Sequence, residues 1–149
     1  MQIPLIMLVA EDDETEVLLL KRAFSKSGVK ASMQFVRDGQ EAVDYFRGEE
    51  PYADRAANPL PSLLLLDLKM PRLNGFDVLK WLRQQPGLRR TLVVVFSSSA
   101  ETEDVNLAYD LGANSYLRKP AHFQDLEVVV QTLEKYWLEL NVGPVSLAE

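Results

Sequence analysis

The sequence predicts an α/β fold, a doubly wound sandwich in which a five-stranded parallel sheet lies between two layers of helices. Three observations predict it. Short apolar runs recur along the chain with helical segments between them, the runs are apolar at consecutive rather than alternate positions, and acidic, hydroxyl and lysine side chains stand directly after several of them. A strand that is apolar at every position is one covered on both faces, the condition of a parallel strand between helix layers.

The strand runs are Leu5 to Val9, Met33 to Val36, Leu63 to Leu66, Leu92 to Phe96 and a weaker one around Tyr116-Leu117. Between them Val17, Leu20 and Phe24, then Ala42, Val43 and Phe46, then Phe76, Leu79 and Leu82, then Val105, Ala108 and Leu111 follow helical spacing. The last helix carries the longest stripe, Phe123, Leu126, Val130, Leu133, Trp137 and Leu140, predicted to face the sheet along its whole length. Asn74 ahead of Gly75-Phe76-Asp77 and Thr102 ahead of Glu103-Asp104 are expected as N-caps with acidic first turns. Right-handed helical crossovers between successive parallel strands then give a (βα)5 sandwich. The stretch from Gly48 to Pro61, with Pro51 and Pro59 inside it, predicts a loop inserted before the third strand, a connection rather than a lid.

A chain of 149 residues, 47% hydrophobic, has the size of one ordinary domain. Its expected extent is residues 1–140, with 48–61 as the inserted loop and 141–149 as a short tail, too short for an output domain. The formal charge of −6 disfavours the phosphate backbone of a nucleic acid, or an anionic membrane, as main partner. The lack of cysteine excludes disulfides, zinc–thiolate sites and thiol chemistry, and fits the cytoplasm. The apolar run Ile3 to Ala10 has no Lys or Arg before it and Glu11-Asp12-Asp13-Glu14 after it, so a signal peptide is not expected. No segment approaches the roughly 20 apolar residues of a membrane span, and the protein is expected to be soluble.

In an open α/β sheet, ligands bind beyond the carboxyl ends of the strands. Glu11, Asp12 and Asp13 follow the first strand, Asp67 the third, Ser97, Ser98 and Ser99 the fourth, and Arg118-Lys119-Pro120 the fifth. Asp13 and Glu14 are expected to do no more than solvate the turn or cap the next helix. Three carboxylates, Glu11, Asp12 and Asp67, gathered within about 4 to 5 Å would repel by about 4 kcal/mol per pair at an effective dielectric near 20, so a cation must accompany them. All-oxygen ligands favour a hard ion, and few carboxylates with room for water and a phosphate suit Mg²⁺. A carboxylate nucleophile, a divalent cation, a lysine and a hydroxyl are the parts that formation of an acyl phosphate requires.

Glu11-Asp12, the run from Asp67 through Met70-Pro71 to Gly75, Ser97, Tyr116 and Lys119-Pro120 together resemble the response-regulator receiver family. Thirty positions separate Ser97 from Asp67 and twenty-two separate Lys119 from Ser97, as that family has them. The resemblance runs from about Leu5 to Leu138 and implies the flavodoxin-like strand order 2-1-3-4-5. It implies that Glu11, Asp12, Asp67 and the backbone carbonyl of Lys69 hold Mg²⁺, and that Asp67 accepts a phosphoryl group from a histidine kinase. Lys119 would pair with a phosphoryl oxygen, and Pro120 would follow a cis peptide bond. Ser97 would turn its hydroxyl onto the phosphoryl group and Tyr116 would follow inward, remodelling the surface of the fourth helix, fifth strand and fifth helix. Such a protein catalyses only its own phosphorylation and dephosphorylation. The loop at 48–61 and the ending Lys135-Tyr136-Trp137-Leu138-Glu139 are most similar to the single-domain regulators associated with bacterial phytochromes, which makes a phytochrome one candidate for the kinase. Ser97 stands where the family more often has Thr, and the Lys69 side chain is placed to screen or orient the hydrolytic water.

His122, the one histidine, is expected as a capping or surface residue, and Trp81 and Trp137 as packing residues. Val128, Val129 and Tyr136 form a second apolar strip on the last helix, which beside Tyr116 would suit a homodimer. A dehalogenase-type phosphatase needs an acid two positions after its nucleophile, where Lys69 stands, and a flavodoxin needs a phosphate-cradling loop where four acids stand. The rival that remains is a phosphorylation-independent pseudo-receiver on the same fold, against which Glu11, Asp12, Asp67 and Lys119 argue.

Overall fold

Each apolar run becomes a strand: β1 Ile6–Ala10, β2 Ser32–Val36, β3 Leu63–Leu66, β4 Leu92–Ser97 and β5 Ser115–Arg118, all parallel, in the order β2-β1-β3-β4-β5. The computed structural model describes residues 6–28 and 31–144; Leu5, expected in the first strand, and the tail residues 145–149 lie outside the described residues. Five helices alternate with the strands: α1 Glu14–Ser27, α2 Gly39–Arg47, α3 Gly75–Gln84, α4 Thr102–Asp110 and α5 Phe123–Leu133.

The continuous apolar runs have a direct cause. Leu64, Leu66, Val93 and Val95 point to one face of the sheet and meet α2, α3 and Ala108 of α4, while Leu63, Leu65, Val94 and Phe96 point to the other and meet α1 and α5. Apart from Leu92, half-buried at the start of β4, the residues of β1, β3 and β4 are buried on both faces, so alternation of apolar and polar residues would bury polar groups. Each fully buried leucine in these strands contributes about 1.5 to 3 kcal/mol relative to exposure.

Local signals set the helix ends. Asp13 caps α1 by accepting from the N–H groups of Thr15 and Glu16, and Asn74 caps α3 in a reciprocal box with Asp77. Thr102 departs from expectation: it is the first residue of α4, and Glu101 holds the N-cap position without a side-chain bond.

The last helix also departs. After α5 the chain widens into a π-helical segment, Glu134–Leu140, and the i→i+5 turn shifts the inward face by one residue. Leu138 is therefore buried, whereas Leu140, predicted to continue the core stripe, is 62% exposed.

The inserted stretch is built around a side chain. Arg55 donates to the carbonyl oxygens of Tyr45, Phe46 and Asn58, satisfying the end of α2, and the Tyr45 hydroxyl donates to the carbonyl of Pro59. The Tyr52 ring packs on Tyr45 with centroids 5.1 Å apart. A cis peptide precedes Pro51 here, and not Pro120, where it was expected: among the described residues Glu50–Pro51 is the one cis bond. The isomers of an X–Pro bond differ by only about 0.5 to 1 kcal/mol, so the surroundings decide between them and the dipeptide does not.

Candidate functional site

Strand register carries the predicted residues to one edge. Ala10 pairs with Leu66, so Glu11 and Asp67 emerge side by side, and the Asp67 N–H donates to the carbonyl of Ala10 at 3.1 Å. The Glu11 N–H donates to the Val36 carbonyl at 3.0 Å, extending the pairing of β1 with β2. On the other side of β3, Ser97 pairs with Arg118, and the Lys119 N–H donates to the Ser97 carbonyl at 2.8 Å. Gly75 closes the back of the site. A Cβ there would stand 2.2 Å from the carbonyl oxygen of Asp67, so only glycine lets α3 begin this close to the strand end.

Three carboxylates converge as predicted. Glu11, Asp12 and Asp67 each offer an oxygen, and these oxygens lie within 4.8 Å of one another. Glu11 and Asp67 are buried while Asp12 is exposed, so the cluster opens to solvent on one side. Oxygen donors with neither nitrogen nor sulfur among them fit a hard divalent cation. Lys69, two residues past Asp67, lies between buried Leu68 and Met70 with its side chain exposed.

Lys119 reaches the cluster from the end of β5. Its ammonium donates to Glu11 Oε1 at 2.6 Å, to Asp67 Oδ2 at 3.1 Å and to Glu16 Oε2 at 2.5 Å. Asp67 Oδ1 accepts from the Leu68 N–H at 2.8 Å. Burial pushes the Glu11 carboxyl up to about 9, and hydrogen bonding with Glu16 and the charge of Asp67 add to that against the pull of Lys119. Burial also opposes charge on Glu16 and Lys119. For Glu16 the hydrogen bonds with Glu11 and Lys119 outweigh it and hold the carboxyl below the usual range; for Lys119 the bonds to Glu11 and Glu16 and the charge of Asp67 hold the ammonium above its usual range.

Glu16 is the site residue that sequence reasoning missed. The available signal was its position: as the third residue of α1 after the cap Asp13, it faces back toward the strand ends.

Ser97 is buried, and its Oγ accepts from the Ser99 N–H at 3.2 Å. The Tyr116 hydroxyl donates to the carbonyl of Ser99 at 2.9 Å, tying β5 to the turn that follows Ser97, and the Ser99 hydroxyl donates to Asp104 of α4 at 2.6 Å. Pro120 follows Lys119 in the turn before α5. His122 holds the N-cap position of α5, exposed and without a side-chain bond.

Residues 7–131 match the model of the family described as "Response regulator receiver domain". The chain belongs to that family. This receiver is 37% identical over 141 residues to the probable methanogenesis regulatory protein FilR2 of Methanothrix harundinacea, covering 95% of this chain and 88% of FilR2. It is 34% identical over 143 residues to response regulator Rcp1 of Synechocystis sp., covering 96% and 95% of the two chains. Among solved structures it resembles the phosphorylated cyanobacterial phytochrome response regulator RcpA, with a TM-score of 0.88 and 34% identity over 96% of this chain and 100% of that one. The Mn²⁺-bound form of Rcp1 gives 0.84 and 33%, with 95% and 100% covered. The flavodoxin-like order 2-1-3-4-5 is thus found both in the receiver's own sheet and in its likeness to these structures, and its place is in two-component phosphorelay signalling.

Proposed function

We propose that this receiver accepts a phosphoryl group onto Asp67 from the phosphohistidine of a histidine kinase in a Mg²⁺-dependent reaction. The observation that carries the reading is the placement of Asp67: a buried carboxylate in hydrogen-bond contact with Lys119 and within 4.8 Å of the Glu11 and Asp12 oxygens. An Asp67 oxygen forms a bond to phosphorus as the phosphorus–nitrogen bond breaks; the electron pair stays with the imidazole, which takes up a proton. Charge growing on the equatorial oxygens is met by the Lys119 ammonium. Glu11, Asp12, Asp67 and the Lys69 carbonyl would hold Mg²⁺, which supplies Lewis-acid neutralisation of that charge when bound. Return to the resting state is attack of water on phosphorus, which releases inorganic phosphate and restores the carboxylate. The exposed Lys69 side chain, two residues past Asp67, would orient that water. In this reading the protein is no general enzyme and transforms no substrate other than itself.

Ser97 and Tyr116 report the event. The Ser97 hydroxyl leaves the Ser99 N–H for a phosphoryl oxygen, and the Tyr116 bond to the Ser99 carbonyl carries the shift to the surface of α4, β5 and α5. The likeness to the phytochrome response regulator RcpA supports a phytochrome-type kinase as the donor, and the reading sets this exchange in the cytoplasm. Leu107, Tyr109, Val128 and Tyr136, all more than 40% exposed, support a homodimer through that face or a downstream protein bound there. Val129, grouped with Val128 by the sequence, packs partly against the core instead.

The test is chemical. Acetyl phosphate with Mg²⁺ adds the mass of one phosphoryl group to the wild-type protein and none to Asp67→Asn; a mass gain that persists in Asp67→Asn overturns the assignment. Transfer rates from a set of phosphorylated histidine kinases then identify the donor by kinetic preference.

A further inference from the structure

Lys119 has three N–H groups, and in this structure all three are occupied by oxygens of acidic side chains. Two belong to the acidic cluster. The third, Glu16, comes from α1, and its contact at 2.5 Å is shorter than the 3.1 Å contact to Asp67. Nothing in the helix start holds Glu16 there. The N–H of the cap residue Asp13, which a third-position acid commonly bonds, is bonded by Glu11 Oε2 at 3.1 Å, so the Glu16 carboxylate turns to Glu11 and Lys119 instead of capping the helix. On the α1 side the space around Glu16 and Lys119 is lined by Leu19, Leu20, Phe96, Pro120 and Leu126, none of which brings a polar side chain.

We propose that Glu16 is a positioning residue that competes with the phosphoryl group for Lys119. The inference rests on the reading of Asp67 as phosphoacceptor. Glu16 draws the ammonium toward α1, and a phosphoryl oxygen arriving on Asp67 gains its bond to Lys119 only against that pull. A cation engaging Glu11 takes away one partner of Lys119 and leaves Glu16 in place, so the competition is sharpest in the metal-loaded protein that reacts. Glu16 thereby sets how much phosphodonor is needed to charge the receiver.

The experiment is calorimetric titration of the full chain, in saturating Mg²⁺, with beryllium fluoride as phosphoryl mimic, together with initial rates of acetyl phosphate labelling over a range of donor concentrations. Glu16→Gln keeps the shape and removes the charge. It is expected to lower the half-saturating concentration of both probes by about 3- to 10-fold, the scale of one partly exposed charge partner. Glu14→Gln removes the same charge from the same turn but at a side chain 82% exposed and paired, among the described residues, with Arg37, and is expected to leave both concentrations unchanged. Unchanged or weaker binding in Glu16→Gln, or an equal gain in Glu14→Gln, overturns the proposal while leaving Asp67 as acceptor. A wild-type protein that gains no phosphoryl mass overturns both.

Discussion

Arg72 and Asp38 are joined by two hydrogen bonds, Nε to Oδ2 at 2.9 Å and Nη2 to Oδ1 at 3.1 Å, and the pair ties the turn after β3 to the start of α2. Arg72 adopts a φ of 66°, the left-handed region, on the loop that begins at Asp67. Asp38 is also the N-cap of α2, accepting from the Glu41 N–H at 2.8 Å. Asp38→Ala is therefore expected to cost about 1 to 2 kcal/mol in urea unfolding, as cap losses do. Arg72→Gly should cost less, because glycine takes the same φ without strain. Burial raises the Asp38 carboxyl, but Arg72 and the Glu41 N–H outweigh it and hold the group below its usual range. The stability it gives is present above the unfolded carboxylate range and is lost as pH falls through the lowered folded value. A pH-independent difference between wild type and Asp38→Ala from pH 2 to 5 would contradict this.

Gly75→Ala should be more damaging than an ordinary helix substitution, although alanine is the better helix former. The added Cβ meets backbone at 2.2 Å from the Asp67 carbonyl oxygen and 2.8 Å from the Leu68 Cα, and neither atom can rotate away. A loss of about 3 kcal/mol is expected, the upper end of overpacking costs. The strain falls on Asp67 itself, so acetyl phosphate labelling should slow even where the variant is fully folded by circular dichroism.

Much of this is legible in the sequence, and for a physical reason. Leu63 to Leu66 could be read as a doubly covered strand because burial on both faces leaves a continuous apolar run, and Asp67 could be read as strand-end chemistry because that is where such a run stops. Glu16 was legible only as a third-position acid turned back toward the strand ends; its contact with Lys119 depends on how α1 packs on the sheet, which no spacing along the chain reports. The π-helical widening at Glu134–Leu140 was hidden similarly: Leu138 and Leu140 are equally apolar, and only backbone winding decides which turns inward.

Arg55 is expected to hold the 48–61 stretch together. Its guanidinium bonds three carbonyl oxygens, two of them at the end of α2, and Arg55→Met leaves those acceptors to water or to nothing. A loss of about 1 to 3 kcal/mol follows. Amide exchange should speed up in the loop and the last turn of α2, while β1 and β3 stay protected. Unaltered loop protection in Arg55→Met would reduce the arginine to a bystander.

The Glu11 carboxyl gives the metal-free protein an unusual pH dependence. Its folded value of about 9 lies above the ordinary carboxyl value of 4.5, so between these limits the folded state holds a proton that the unfolded state has lost. Stability of the protein in EDTA should therefore be greatest below pH 4.5 as far as this group is concerned, and fall as pH rises toward 9 by at most about 1.4 kcal/mol per unit. A cation that takes Glu11 as ligand must displace that proton. Mg²⁺ should then release close to one proton on binding at pH 7, bind more tightly at pH 8 than at pH 6, and restore the stability that the rise in pH removed. Glu11→Gln, neutral at every pH, should flatten the apo stability profile and remove the proton release. Calorimetry in two buffers of different ionisation enthalpy measures that release directly, and a value near zero in the wild type would mean that Glu11 is already ionised before the metal arrives.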